Sequence, residues 1–344
     1  MLRRVAGHWI LKALLAAGLM TWLVYSDRLK VADFSQIQDR WPLVALAAVC
    51  VLPSYLLTAV RYRLLLSALG MEFGFFQVLR WNMIGVFFDL VMPMSTGGDV
   101  VKSFYVMRAA GRGRRGLAVL SLVLDRSVGL TGLFVLALLV CLPHWNTLRE
   151  NPELQYVPLI VAGVCGCLFV GFVVATSRTI AESSLRKAFV ARLPFGVKIE
   201  QLYSGIAGLR GRPLTVVSIL LLSVANHAIQ CGAVLILSRA MGMDFGLWEG
   251  LSVIPLALFL NSFGFASGVG VGNAAFGWLF QNMLNEGRGA ALALLYQFIA
   301  IFSRLLGLPF YLGAERVSYS EASAEVAAAE TSPVPAAPPA APAP

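Results

Sequence analysis

The sequence predicts an all-α polytopic membrane protein, and three observations carry that reading. The chain is 58% hydrophobic and only 13% charged, where a soluble domain averages about 25% charged residues. Several stretches run close to twenty apolar residues, the length that crosses a hydrocarbon core about 30 Å thick. The Lys and Arg behind the formal net charge of +9 sit mainly in short loops between those stretches. That is the positive-inside pattern of a membrane protein, so the basic balance does not argue for nucleic acid.

Taken in order, the spans begin with MLRRVAGHWILKALLAAGLMTWLVYSD. Its basic start and apolar run suit a signal peptide, but LVYSD lacks a small-x-small cleavage pattern, so 9–25 reads as a retained first span. The second span runs from about 42 to 60 and ends at Arg61 and Arg63, the third from about 117 to 141, and the fourth from about 157 to 176. The fifth covers about 214–238 and the last about 290–312. Two apolar segments, about 76–97 and 248–284, are interrupted by Pro and Gly.

Short-loop charges set the orientation. Arg3, Arg4 and Lys12 mark a cytoplasmic N-terminus, and Arg112, Arg114, Arg115, Arg186, Lys187 and Arg192 mark cytoplasmic loops. Every loop is satisfied by six full spans if both interrupted segments return to the side they entered. They are therefore expected as re-entrant hairpins, which are tolerated only when buried in protein or lining a wet cavity. One hairpin enters from each side, and the breaks MPMSTGGD (92–99) and FASGVGVGN (265–273) correspond. That arrangement predicts an inverted repeat. Residues 1–317 form the membrane domain. The segment from 318, rich in Ala and Pro, is expected to be a disordered cytoplasmic tail.

Three places put polar chemistry among oily neighbours. In FFDLVMPMSTGGDVVKSFYVMR, Pro93, Gly97 and Gly98 break the helix, while Asp89, Asp99 and Lys102 bring charge. The glycine pair can form an anion nest with Lys102 as a point charge beside it; the same stretch can also be a loop with Asp99 capping the next helix. Asp125 and Arg126 lie well inside the third span and Arg304 inside the last, at similar depth. An Asp125–Arg304 pair is expected, leaving Arg126 for a phosphate, although a purely structural ion pair fits equally. Asn226, His227 and Gln230 form a polar stripe on the fifth span, which suits helix–helix contact as well as a ligand. No Walker loop is present and the three histidines have no metal spacing, so neither ATP, another cofactor nor a metal is expected.

RYRLLLSALG (61–70), GVFFDLVMPMSTGGDVVKSFYVMR (85–108) and LVLDRSVGL (122–130) together resemble the lysylphosphatidylglycerol synthase transmembrane-domain family, a flippase-like integral membrane family, over about residues 10–315. Pro93, Gly97, Gly98, Asp99 and the pair Asp125–Arg126 match its pattern; Asp89 stands in its Asn place and Lys102 in its Arg place. In the second half Gly268 and Gly270 match, while Asn273 replaces a Glu and Phe263 a Pro. The resemblance implies a bacterial cytoplasmic membrane protein, with both termini cytoplasmic, that binds a phospholipid or glycolipid through these residues and Arg304. The fused lysyl transferase of some relatives does not fit in this length, so no enzyme activity is expected. A translocase or transporter of a polar, anionic or head-group-modified lipid leads the functions so implied. A lipid-modifying enzyme using Asp99 and Asp125, and a scaffold for lipid, hopanoid or glycolipid biosynthesis, remain open. A homo-oligomer or a lipid-biosynthesis enzyme is the partner each would take.

Overall fold

The computed structural model describes residues 37–91, 97–143, 145–150, 155–176, 212–261, 270–314 and 319–330, apart from isolated positions. Twelve α-helices and one 3-10 turn make up the regular structure of those residues. The first four helices are α1 (Trp41–Ala68), α2 (Phe75–Val91), α3 (Gly97–Ala110) and α4 (Arg115–Cys141). Short α5 (Trp145–Glu150) and α6 (Val157–Thr176) follow. A second set comprises α7 (Pro213–Ala240), α8 (Leu247–Asn261), α9 (Val271–Leu284), α10 (Gly289–Leu305) and α11 (Leu308–Leu312). The last helix is α12 (Tyr319–Glu330).

The two sets are copies in opposite orientation. Helices α1 and α7 each have 28 residues, and α3 and α9 each have 14. Both long helices end in the same left-handed turn, with Gly70 at φ 78° and Gly242 at φ 67°. Met71 N–H donates to the Leu66 carbonyl at 2.8 Å and Met243 N–H to the Ser238 carbonyl at 3.0 Å, closing a Schellman cap in which glycine avoids a Cβ clash. The segments carrying this turn read ALGMEFG (68–74) and AMGMDFG (240–246), a repeat visible in the sequence itself.

Inversion shows in how the copies meet. Arg212, at the start of α7, donates to the Ser67 carbonyl at the end of α1 at 3.0 Å. Arg40, before α1, donates to the Arg239 carbonyl near the end of α7 at 2.8 Å. The long helices are thus antiparallel and pinned at both ends. Between the pins, Tyr55 of α1 bonds Ser303 of α10 at 2.7 Å, and its counterpart His227 of α7 donates to the Gly129 carbonyl of α4 at 2.9 Å.

Helices α2 and α3 pack on each other, as do α8 and α9. One arginine staples the open end of each hairpin: Arg114 donates to the Gly70 carbonyl at 2.7 Å, and Arg288 to the Gly242 carbonyl at 3.1 Å. Each hairpin also has its own apolar core. Tyr62, Ile84, Phe104 and Leu117 belong to that of the first hairpin, and Val234, Ile254, Phe276 and Leu292 to that of the second.

Four described helices are long and apolar enough to cross a membrane: α1, α4, α7, and α10 continued through α11. The expected first span, 9–25, and the hairpin tips at 92–96 and 262–269 lie outside the described residues. Two expectations need correcting. The second span does not stop at residue 60; α1 runs on to Ala68, carrying Arg61 inside rather than leaving it at the membrane edge. The last span runs from Gly289 to Leu312 as expected, with a turn between Leu305 and Leu308 next to Gly307 and Pro309. The expected disordered tail is helical over Tyr319–Glu330. Ala322, Val326 and Ala329 are buried there against α3 and α4, and Glu325 meets Arg115 at 2.7 Å. Alanine is the best helix former and these three residues share one face; the prolines begin only at Pro333.

Candidate functional site

A cavity of about 550 Å³ lies between α1, α2, α3, α4, α7 and α8, and it collects most of the ionisable residues found at depth. Asp125 is about ten residues into α4, roughly 15 Å along the axis at 1.5 Å per residue, near the middle of a hydrocarbon core about 30 Å thick. A charge there is tolerated only with partners. Asp125 has two. Arg61 Nη2 lies 2.9 Å from Oδ1 and Lys102 Nζ 3.3 Å from Oδ2. All three are more than nine-tenths buried. Arg61 also donates to Ser223 Oγ at 3.1 Å, and Lys102 to Asn82 Oδ1 at 3.4 Å. The ammonium sits 3.5 Å from the centroid of the Tyr62 ring, a geometry attractive to a desolvated cation.

This overturns the expected Asp125–Arg304 pair. The helical register does bring Asp125 inward, but Arg61 and Lys102 fill its two oxygens. Arg304 lies instead beside the Tyr55 hydroxyl, within electrostatic reach of Asp89. The sequence reading missed Arg61 because RYR was assigned to the end of a span. Counting α1 to its glycine cap would have placed Arg61 about 10 Å inside.

A second layer faces the cavity mouth. Arg126 Nε contacts Asp99 Oδ2, and their side chains keep 48% and 27% exposure. Arg126 is therefore paired in this structure, contrary to the expectation that it stands ready for a phosphate. Val123, Ser127 and Leu130 on the same face of α4 are exposed as well. The exposed face of α4 at this edge of the cavity therefore carries Arg126 and Ser127 between the apolar Val123 and Leu130.

Asp89, at the end of α2, accepts from Gly98 N–H at 3.0 Å. Gly98 is in the first turn of α3, and a Cβ there would collide with the Gly85 carbonyl oxygen and the Asp89 carboxylate. The expected anion nest thus exists as a helix N-terminus, and the anion in it is Asp89. Lys102 points away from this turn toward Asp125. Gly97 is buried beside Gly98, while Pro93 and Gly268 lie outside the described residues.

Of the described second-half candidates, Gly270 and Asn273 are not among the residues lining the cavity. Gly270 caps α9 with φ 89°, its N–H donating to Asn273 Oδ1 at 3.0 Å. Asn273 Nδ2 donates to the Ala290 carbonyl at 3.3 Å. The pair closes the start of a helix and touches no charged group of the first half. The polar stripe on α7 divides. Asn226 and His227 line the cavity, and His227 Nδ1 is buried without a partner; Gln230 meets Tyr296 of α10 at 3.5 Å. No cluster of His, Cys, Asp and Glu suited to a metal occurs among the described residues.

Comparison with known families places these residues. The profile of the lysylphosphatidylglycerol synthase TM region matches residues 9–307. The chain belongs to that family. It is accordingly a multi-pass membrane protein related to lipid modification or transport. No curated protein and no solved structure matches it.

Proposed function

We propose that this family member moves a polar or anionic lipid across the bilayer, without ATP, by alternating movement of its two hairpins. The observation that carries the reading is a cavity of about 550 Å³ that gathers Arg61, Asp99, Lys102, Asp125 and Arg126 among apolar helices. A lipid head group in transit needs a wet, charged path while its chains stay in hydrocarbon, and a cavity whose lining sets these charges beside Leu130, Leu133 and Phe259 suits both. Arg126 is the cation nearest the mouth. An incoming phosphate displaces Asp99 from it, exchanging one ion pair for another. Deeper in, Arg61 and Lys102 hold positive charge whose balance is a single carboxylate.

The hairpins suit the work. They enter from opposite ends of the bundle, and pseudo-symmetric units of this kind rock around a fixed midplane site. By the positive-inside rule the end bearing Arg63, Arg80, Arg108, Arg114 and Arg212 is cytoplasmic. A lipid-modifying enzyme is less favoured. Both of its acid/base candidates already have their charge matched by a neighbouring cation, Asp125 by Arg61 and Lys102 and Asp99 by Arg126, which favours the ionised carboxylate and weakens it as a base.

The test is reconstitution of the full chain in liposomes with head-group-labelled fluorescent phosphatidylglycerol and an external quencher. Protein-dependent quenching of the inner-leaflet lipid, with that lipid recovered unchanged, is the expected result. Quenching no faster than in protein-free vesicles, from protein shown to be folded, removes the transport reading. A new lipid product moves the protein to the enzyme class.

A further inference from the structure

The inverted repeat pairs each residue at the first hairpin with one at the second. Asp89 corresponds to Asn261, Gly98 to Gly272 and Asp99 to Asn273. The glycine contacts just beyond the two tips are alike. The Asp89 carboxylate lies against Gly98 and the Asn261 carboxamide against Gly272, and a Cβ on either glycine would collide with that side chain's oxygen. Each hairpin thus has a side chain at the end of its first helix packed against the N-terminal glycine of its second; Asp89 accepts from the Gly98 N–H at 3.0 Å, whereas the Asn261 oxygen accepts from Gln297 Nε2 at 3.1 Å. One latch can take up a proton and the other cannot.

We propose that Asp89 is a proton-binding site that releases the first hairpin when occupied, so that the movement of α3 against α2 is coupled to protonation while the second hairpin stays latched. The proposal deepens the reading of the hairpins as moving parts and rests on it.

The surroundings single out Asp89. Asp125 is held by two buried cations, and Asp99 by direct contact with Arg126. The hydrogen bond to Asp89 comes from a neutral peptide N–H. The groups facing it are Asp99 on α3, Arg126 on α4, Arg304 on α10 and the Tyr55 phenol on α1. With both aspartates ionised, the two carboxylates balance the two guanidiniums. A proton on Asp89 leaves one positive charge in excess, beside a helix N-terminus that is itself positive. The bond from Gly98 loses its charge assistance, and both effects push α3 off its latch. The proton enters from water through the cavity and leaves the same way when the carboxylate re-forms.

Hydrogen exchange of the full chain in lipid nanodiscs reads the latch without any transported lipid. Failure here is therefore separable from failure of the transport assay. Amides at 97–102 are expected to exchange about tenfold faster, after correction for intrinsic rate, at about pH 5 than at about pH 8, while those at 271–276 do not respond. Asp89→Asn removes the response of the first hairpin. Asn261→Asp, a change in the other half, installs one in the second, which keeps the test available if Asp89→Asn folds poorly. A wild-type protein whose first hairpin ignores pH, or whose two hairpins respond equally, overturns the proposal. So does a response that survives Asp89→Asn, or an Asn261→Asp protein whose second hairpin remains indifferent.

Discussion

Asp89, Asp99 and Lys102 on the first hairpin occupy the positions of Asn261, Asn273 and Phe276 on the second. The contrast extends into the neighbouring helices, where Arg61 and Asp125 correspond to Ala233 and Ile299. Phe276, Ala233 and Ile299 all lie in the apolar core of the second half. Backbone, glycine contacts and arginine staples are common to both halves; the charge is not. The fold therefore does not need the charged triad, since the same helices close in the second half on apolar packing alone. Buried ion pairs seldom stabilise more than well-packed apolar groups of similar volume, so the triad is better explained by what the cavity does.

The largest expected effect breaks that comparison directly. Asp125→Ala strands Arg61 and Lys102 as unpaired buried cations and should cost about 3–5 kcal/mol, read as lost thermal stability in detergent or lower yield at matched expression. Transplanting the second half's residues (Arg61→Ala, Lys102→Phe and Asp125→Ile together) should instead keep stability within about 1–4 kcal/mol of wild type, with a gain as admissible as a loss, while transport is lost. A triple variant as unstable as Asp125→Ala would show that the halves differ in packing as well as charge.

Next in size are the shared contacts. Gly98→Ala and Gly272→Ala each force a methyl group into a backbone or amide oxygen and should each cost about 1–3 kcal/mol, seen in parallel thermal shifts. An unequal pair would mean that one hairpin tip yields more readily than the other. Arg126→Gln is smaller in stability, below about 1 kcal/mol for a half-exposed pair, yet should remove most lipid movement in the liposome assay. Lipid movement at the wild-type rate would take Arg126 out of the path. Glu325→Gln, which loosens α12 from Arg115, should shift stability by no more than about 0.5 kcal/mol and leave lipid movement unchanged.

Much of this was legible from residue order, because spans are written in runs of apolar residues and hairpins in the glycines that interrupt them. Asp89, Asp99, Lys102, Asp125 and Arg126 do gather in one cavity, and their placement amid apolar neighbours was the signal. Their pairing was not legible. Whether Asp125 meets Arg304 or Arg61 depends on which helices adjoin, and depth alone leaves several cations equivalent. Gly270 and Asn273 were misplaced for a related reason: a glycine motif marks a helix start wherever it falls, and only packing shows whether a cavity lies beside it. The α12 helix escaped notice because its alanines were averaged with the prolines beyond it.

The buried triad also constrains how the chain is made. Arg61 and Lys102 leave the ribosome before Asp125. Until α4 is synthesised each would sit near mid-bilayer without its counter-charge, at about 2.5–3.5 kcal/mol apiece on insertion scales. Helix α1 and the first hairpin therefore gain little by entering lipid alone, and their settled positions wait for α4 to arrive. Arg304 of α10 emerges after Tyr55 and Asp89, the groups it faces, are already made, so the second half does not wait in the same way. On this reasoning the first half should settle as a unit once Asp125 arrives, and loss of Asp125 should appear during biogenesis, as nascent chains stalled at the insertion machinery.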